Sequence, residues 1–221
     1  MNGFVAATLT ISLWLSVPIS TVLLASRWRS RWDTPSRFLH PHLIAGIQLG
    51  AALTVGVFSW WAFHNLMATI AASVWAACAA GTSWVDIRTR TAPRELFWVP
   101  AIITSVTCVY AVIEALISSE TMTTVTTIIA GASPAVIMTV IWLISPSAIG
   151  FSDIRFAWVT AMAFCWWISP ELLLLAALVA PLLALAAKIV TRSWQERWPY
   201  LPFLTAAHAI VIPWGLAVIG H

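Results

Sequence analysis

Charged residues are scarce in this chain of 221 residues. They account for 9% of the sequence, whereas hydrophobic residues account for 61% and the mean hydropathy is +0.91. No water-soluble fold could bury so much apolar surface, which excludes a soluble enzyme or a soluble nucleic-acid-binding domain. The net charge of +3 reflects basic residues dispersed between apolar runs, as membrane topology alone produces. We therefore expect an integral membrane protein that contacts the lipid bilayer and no nucleic acid.

Cysteine and the short motifs of several enzyme classes are also scarce or absent. The three cysteines stand inside apolar runs without CxxC or Cys/His spacing. This pattern indicates neither a zinc site nor a disulfide framework, and we interpret them as small core residues. The sequence has no Gly-rich phosphate loop, no GxSxG and no HExxH, so it does not support an ATPase, a serine hydrolase or a zincin. No cofactor and no metal are predicted.

Long hydrophobic runs are abundant. A helix that crosses a bilayer needs about 20 apolar residues, and about eight runs approach that length, the sixth being the shortest. The runs cover residues 3–26, 43–63, 66–85, 97–117, 124–144, 156–169, 172–190 and 203–219. The sequence thus predicts an all-α polytopic transmembrane helix bundle of about eight spans. We expect residues 1–221 to form a single membrane domain.

The basic residues are confined to one set of loops. If the N-terminus lies outside, all eleven Lys and Arg residues fall on the cytoplasmic side of the membrane. The opposite loops carry Glu120 and Glu171 but no basic residue. By the positive-inside rule, this segregation supports both the number of spans and an N-terminus outside.

Aspartate occurs only three times, each time in or beside a predicted cytoplasmic loop. Asp33 stands in Trp-Asp-Thr-Pro, which is typical of a turn or helix start, and we assign it no function. Asp86 ends the third span, where a carboxylate opposes the helix dipole, although an ion pair with Arg88 or Arg90 could explain it. Asp153 opens the sixth span, where it could serve as a helix cap. Taken singly, each of these two could be structural or functional.

Three segments follow one another in a distinctive order. Asp86 is followed by basic residues and, seven positions later, by Pro93. Residues 150–155 read Gly-Phe-Ser-Asp-Ile-Arg, and residues 198–204 read Trp-Pro-Tyr-Leu-Pro-Phe-Leu. In order, spacing and predicted orientation, these segments resemble the first-aspartate motif, the GxGDxK motif and the Pro-Phe-rich segment of the prepilin peptidases.

The resemblance implies a GxGD-type aspartic membrane peptidase whose catalytic residues are Asp86 and Asp153. Two carboxyl groups in one site would share a proton, so that one activates a water and the other polarises the scissile carbonyl. The motif residues that would support them are Gly150, Ser152, Arg155 and Pro93. By resemblance, the substrate is a pilin-like precursor, cut between a basic leader and a hydrophobic helix. The implied location is the bacterial cytoplasmic (plasma) membrane, with the chain crossing it several times.

Two departures from the family pattern affect this interpretation. Ser152 replaces the second glycine of GxGD and removes the backbone freedom that glycine offers. The segment 27–42 is short and lacks cysteine, whereas the larger, bifunctional members carry a cysteine-bearing insert there that is associated with N-methylation. The chain therefore resembles the compact, peptidase-only members of tight-adherence pilus systems.

Two other functions remain open. A small transporter or channel could use the same aspartates, and the replacement at Ser152 is compatible with an inactive scaffold of pilus assembly. Transporter sites lie near the bilayer midplane, whereas these aspartates flank arginine-bearing loops, which favours the peptidase. His208 lies in the last apolar run without an evident relay partner, and we interpret it as a buried, hydrogen-bonded histidine.

Overall fold

The computed structural model describes residues 3–25, 40–90, 92–118, 121–146, 149–191 and 199–219. These ranges contain eight helices and no strand, which confirms the predicted all-α bundle. The helices are α1 (Gly3–Leu23), α2 (Pro41–Phe63), α3 (Leu66–Thr89), α4 (Glu95–Ile117), α5 (Thr121–Ile144), α6 (Phe151–Phe164), α7 (Pro170–Thr191) and α8 (Leu201–Ile219). Asp33, Glu120 and Trp198 lie outside the described residues.

Helix length and composition make this a multi-pass membrane protein. Five helices, α2, α3, α4, α5 and α7, are long and apolar enough to cross a bilayer. Helix α6 has only 14 residues. It begins earlier than the predicted run at 156–169, because the polar residues at its start form the first helical turn. It also ends earlier, at Phe164, and turns at residues 165–167 lead to Pro170, the first residue of α7.

Helix α3 is the centre of the bundle. It packs against α1, α2, α4, α6 and α8. Small side chains allow so many neighbours to approach closely, as is common where helices pack inside membranes. The buried small residues of α3 include Ala68, Ala71, Ala72, Ala76, Ala77, Ala79 and Gly81.

The outer helices present large apolar side chains outwards. Exposed examples are Val57 on α2, Val106 on α4, Ile129 on α5 and Leu178 on α7. Soluble monomers rarely expose apolar surface of this extent, whereas such a surface is suited to contact with lipid acyl chains. The exposed faces and the helix lengths therefore support the same bilayer environment.

One end of the bundle holds both Asp86 and Asp153, and we call it the aspartate end. Helix α3 ends there at Thr89, and the next residue, Arg90, adopts a left-handed conformation (φ 58°) and donates its backbone N–H to the Asp86 carbonyl at 2.7 Å. At the opposite end, the rings of Phe63 and Trp167 meet at 4.9 Å, which joins the end of α2 to the turns after α6. Successive helices thus run in alternating directions.

The orientation in the membrane can be tested by cysteine labelling. Thr89→Cys lies at the aspartate end and Glu171→Cys at the opposite end. Because the native cysteines Cys78, Cys108 and Cys165 are buried, they should contribute little background. With a membrane-impermeant maleimide on intact cells, we expect labelling of Glu171→Cys alone, and labelling of Thr89→Cys only after the membrane is opened. Labelling of Thr89→Cys from outside would reverse the predicted topology.

Candidate active site

Asp86 is buried in the last turn of α3, with only 3% of its surface exposed. Its Oδ2 accepts a hydrogen bond from the backbone N–H of Leu201 at 3.3 Å. Among the described residues, it makes no ion pair with Arg88 or Arg90. The Arg88 guanidinium instead lies over the ring of Trp84, 5.1 Å from its centroid. The ion pair that could have given Asp86 a purely structural role is therefore not formed.

Asp153 is the third residue of α6 and is 7% exposed. Its Oδ2 accepts the backbone N–H of Gly150 at 3.1 Å, which is the reciprocal half of a capping box. The capping role predicted for this residue is thus confirmed. A Cβ on residue 150 would lie 2.9 Å from Asp153 Oδ2, so a larger residue here would displace the carboxylate from its present position.

The two carboxyl groups interact electrostatically. Asp153 lies in the first turn of α6, before its apolar part, at the aspartate end of the bundle. Burial and, secondarily, the charge of Asp86 raise the pKa of Asp153 to about 7, while the hydrogen bond from Gly150 opposes this rise. Near neutral pH, Asp153 therefore exists in both its protonated and its ionised form. Such a pair can supply an acid and a base together.

The start of α8 bonds to Asp86 and lies near Asp153. Leu201 is the first residue of α8, and its N–H is one of the donors that a helix start leaves unsatisfied. The Asp86 carboxylate accepts this N–H and is also favoured by the positive end of the helix dipole. The preceding residue, Tyr200, lies near Asp153: burial and the charge of that carboxylate raise the pKa of Tyr200 to about 12.

The sequence indicated that the segment 198–204 resembles a family motif, but it did not predict that Leu201 would bond to Asp86. The prolines at 199 and 202 were the available signal, because proline is favoured at the start of a helix. One turn further along α8, the hydroxyl groups of Ser83 and Thr205 are 2.9 Å apart and join α3 to α8. This contact holds the start of α8 beside the end of α3.

The remaining motif residues are Pro93 and Arg155. Pro93 is buried between the end of α3 and the start of α4, where it follows the helix cap. The Arg155 guanidinium lies over the Phe151 ring, 4.3 Å from its centroid. Each aspartate leaves its Oδ1 without a hydrogen-bond partner among the described residues. One oxygen of each carboxyl group is therefore held in place and the other is available for chemistry.

Ser152 occupies the second position of α6 and is half-buried. Among the described residues, His64 and Arg90 are the non-glycine residues with positive φ, so the backbone of Ser152 is unstrained. The replacement of glycine by serine at this position therefore causes no backbone strain. A serine is compatible with the local conformation.

The variant Ser152→Gly tests whether the natural serine impairs the candidate active site. We expect Ser152→Gly to retain cleavage within about twofold, while the helix start loses up to about 1 kcal/mol of stability because glycine is a poor helix former. Cleavage rate and melting temperature should be measured together. A wild type that is inert beside an active Ser152→Gly variant would identify the natural protein as a scaffold.

Other predicted residues lie apart from the aspartates. His208 is buried and its Nδ1 lies 2.7 Å from the Leu204 carbonyl oxygen, which confirms the interpretation of a buried, hydrogen-bonded histidine. All three cysteines are buried, and the Sγ atoms of Cys108 and Cys165 are 3.9 Å apart. Within the described ranges, no group of three His, Cys, Asp or Glu residues could hold a metal ion.

Comparisons of the chain with protein-family models, with curated proteins and with solved structures find no match. The class of the protein is therefore defined by its own fold and site. It is a multi-pass helical membrane protein with a buried, interacting pair of aspartates at one end of the bundle.

Proposed function

We propose that this protein is a membrane aspartic endopeptidase of the prepilin peptidase type. One observation carries the proposal: Asp86 and Asp153 come from different helices, are both buried and interact through their charges. Two carboxyl groups in such a position are costly for a membrane protein unless they have a function. The order of the three sequence motifs supports the same activity.

The proposed peptide hydrolysis uses two carboxyl groups, those of Asp86 and Asp153, that together hold one proton. The ionised carboxylate removes a proton from a water, which attacks the scissile carbonyl. The protonated partner polarises that carbonyl and then protonates the leaving amine. The free Oδ1 atoms of Asp86 and Asp153 are the groups available for these steps. The hydrogen bonds from Leu201 and Gly150 restrain the orientation of each carboxyl group.

The proposed substrate is a pilin-like precursor that is cut at the cytoplasmic boundary of a bacterial plasma membrane. The described basic residues Arg88, Arg90, Arg94, Arg155 and Lys188 all lie at helix ends or in the connection from α3 to α4. Their position supports a cytoplasmic aspartate end by the positive-inside rule. A transporter is less well supported, because the aspartates stand at helix ends and not at a break in a helix near the bilayer midplane.

The direct test uses the purified chain and a pilin-like precursor with a basic leader. We expect mass spectrometry to show removal of the leader at its junction with the hydrophobic helix. With S-adenosylmethionine added, the new N-terminus should stay unmethylated, because the segment 27–42 lacks the cysteine-bearing insert of the bifunctional members. A precursor that stays intact under all conditions would contradict the peptidase proposal, and a methylated product would contradict the compact form.

A further inference from the structure

Two of the three cysteines meet inside the bundle. Cys108 belongs to α4 and Cys165 directly follows α6, and their Sγ atoms are 3.9 Å apart. The sequence spacing indicated no disulfide framework, because 57 positions separate the pair. The third cysteine lies apart, with Cys78 Sγ 4.0 Å from the Leu96 carbonyl oxygen. The packing of α4 against α6 therefore creates a thiol pair that no spacing pattern could reveal.

The backbone around Cys165 is held in place by its neighbours. The Cys165 N–H donates to the Ala161 carbonyl oxygen at 2.8 Å, so this residue continues the last turn of α6. On α5, a Cβ at Gly131 would lie 2.8 Å from Cys165 Cβ, so glycine at that position allows α5 to pack this closely. Both thiol side chains are buried, with Cys108 6% exposed and Cys165 0% exposed. The two sulfur atoms are therefore kept close by the packing of three helices.

A covalent bond between the two sulfur atoms needs only a small movement. Sulfur atoms at 3.9 Å are in van der Waals contact. Because a disulfide bond is about 2.05 Å long, the two Sγ atoms must approach by about 2 Å. Rotation about χ1 moves an Sγ atom between staggered positions while the backbone stays where it is. The packing of α4 and α6 is therefore compatible with a disulfide.

The thiol pair lies in the half of the bundle away from the aspartate end. At about 1.5 Å per residue, Cys108 is roughly 20 Å along α4 from its start, in a hydrocarbon core about 30 Å thick. Shortly after Cys165, the ring of Trp167 meets that of Phe63 at the far end of α2. Ser169, in the connection to α7, is exposed. With the aspartate end in the cytoplasm, the pair therefore belongs to the outer half of the protein.

We propose that Cys108 and Cys165 form a disulfide that joins α4 to the end of α6. The inference uses the predicted orientation of the chain in a bacterial plasma membrane and does not depend on peptidase activity. The outer side of that membrane is oxidising, so disulfides form and persist there, whereas cytoplasmic thiols stay reduced. Cys78, which lies apart from the pair, remains a thiol.

The bond forms by exchange with a disulfide-bearing oxidant on the outer side. One cysteine thiolate attacks the disulfide of the oxidant, which gives a mixed disulfide and releases one sulfur of the oxidant as a thiol. The second cysteine attacks the mixed disulfide, closes the bond between Cys108 and Cys165, and releases the other sulfur as a thiol. The two cysteine protons pass to the released sulfurs, so the oxidant gains the two electrons that the cysteines lose. Because both side chains are buried in the packed bundle, the exchange takes place while α4 and α6 assemble.

The number of free thiols in the wild-type chain tests the disulfide. Membranes are isolated in N-ethylmaleimide, the chain is denatured in fresh reagent, and the masses of the chain and of its peptides are measured. We expect one adduct, on Cys78, and a linked pair of peptides that carry Cys108 and Cys165. Reduction before labelling should raise the number of adducts from one to three. Adducts on Cys108 and Cys165 in most molecules without reduction would overturn the proposal.

Melting temperatures of matched serine variants provide a second measurement. The disulfide closes a long loop, so reduction should lower the melting temperature of the wild type by about 5 °C or more. Cys78→Ser, a matched change at the thiol outside the pair, should show the same fall, whereas Cys108→Ser and Cys165→Ser should show none. An equal fall in Cys165→Ser would contradict the disulfide, because that variant cannot form it. Neither measurement needs a substrate, so failure of the disulfide and failure of the peptidase function are distinguishable.

Discussion

Asp86→Asn and Asp153→Asn should each abolish leader cleavage, lowering the rate by a factor of about 10³ or more. Asparagine keeps the size and polarity of aspartate but cannot exchange the proton that the reaction requires. The described structure gives each asparagine an equivalent oxygen for the N–H of Leu201 or Gly150, so neither variant should lose its fold. Loss of a precursor mass shift, with unchanged expression, is the measurement.

The double variant distinguishes a joint catalytic unit from two independent contributions. Residues that act together in one step are strongly non-additive, so Asp86→Asn with Asp153→Asn should be scarcely slower than either single variant. Asp33→Asn is the control for aspartate replacement and should cleave at the wild-type rate. If both single variants process a genuine substrate at that rate, the peptidase proposal is wrong and the transport alternative gains support.

The stability of the wild-type chain should fall as pH rises from about 4 to 7, and Asp153→Asn should show a smaller fall. The folded chain raises the pKa of Asp153 from its ordinary value of 3.8 to about 7. In that interval the folded protein retains a proton that the unfolded chain has released, so raising the pH favours unfolding. Each pKa unit corresponds to about 1.4 kcal/mol, which makes the total cost on the order of a few kcal/mol above pH 7.

Melting temperatures in detergent at pH 5 and pH 8 measure this effect. Between pH 5 and pH 8, the melting temperature of Asp153→Asn should rise by several degrees relative to that of wild type, because the variant has no buried charge at position 153. Asp86→Asn should reduce the pH dependence in part, because the Asp86 charge is the second cause of the raised pKa. Asp33→Asn should follow wild type. A wild-type profile identical to that of Asp153→Asn would show that the Asp153 carboxyl group is not held in a buried site.

Much of the fold could be predicted because membrane helices are set by local composition. Apolar runs of sufficient length predict helices wherever they occur, and the described helices match those runs closely. The main difference is α6, which starts at Phe151 because polar residues form its first turn around Asp153. A hydropathy pattern detects apolar residues and misses such a turn.

The site was only partly predictable for a different physical reason. Order along the chain indicated that Asp86, Asp153 and the segment 198–204 belong to one pattern, but the sequence alone could not give their contacts. The hydrogen bond from Leu201 to Asp86 joins residues 115 positions apart. Contacts at that separation depend on how the helices pack, and no local pattern encodes them.

The amino-acid sequence by itself determined the helical membrane class and the presence of two aspartates at helix ends, because hydrophobicity and charge segregation act locally. Only the tertiary structure decided that Asp86 forms no ion pair with Arg88 or Arg90, that Ser152 is unstrained and that the start of α8 bonds to Asp86. It also decided that His208 is buried, with its Nδ1 beside the Leu204 carbonyl oxygen. These features depend on the close packing of small residues around α3 and α6, which sets distances between helices that are remote in sequence.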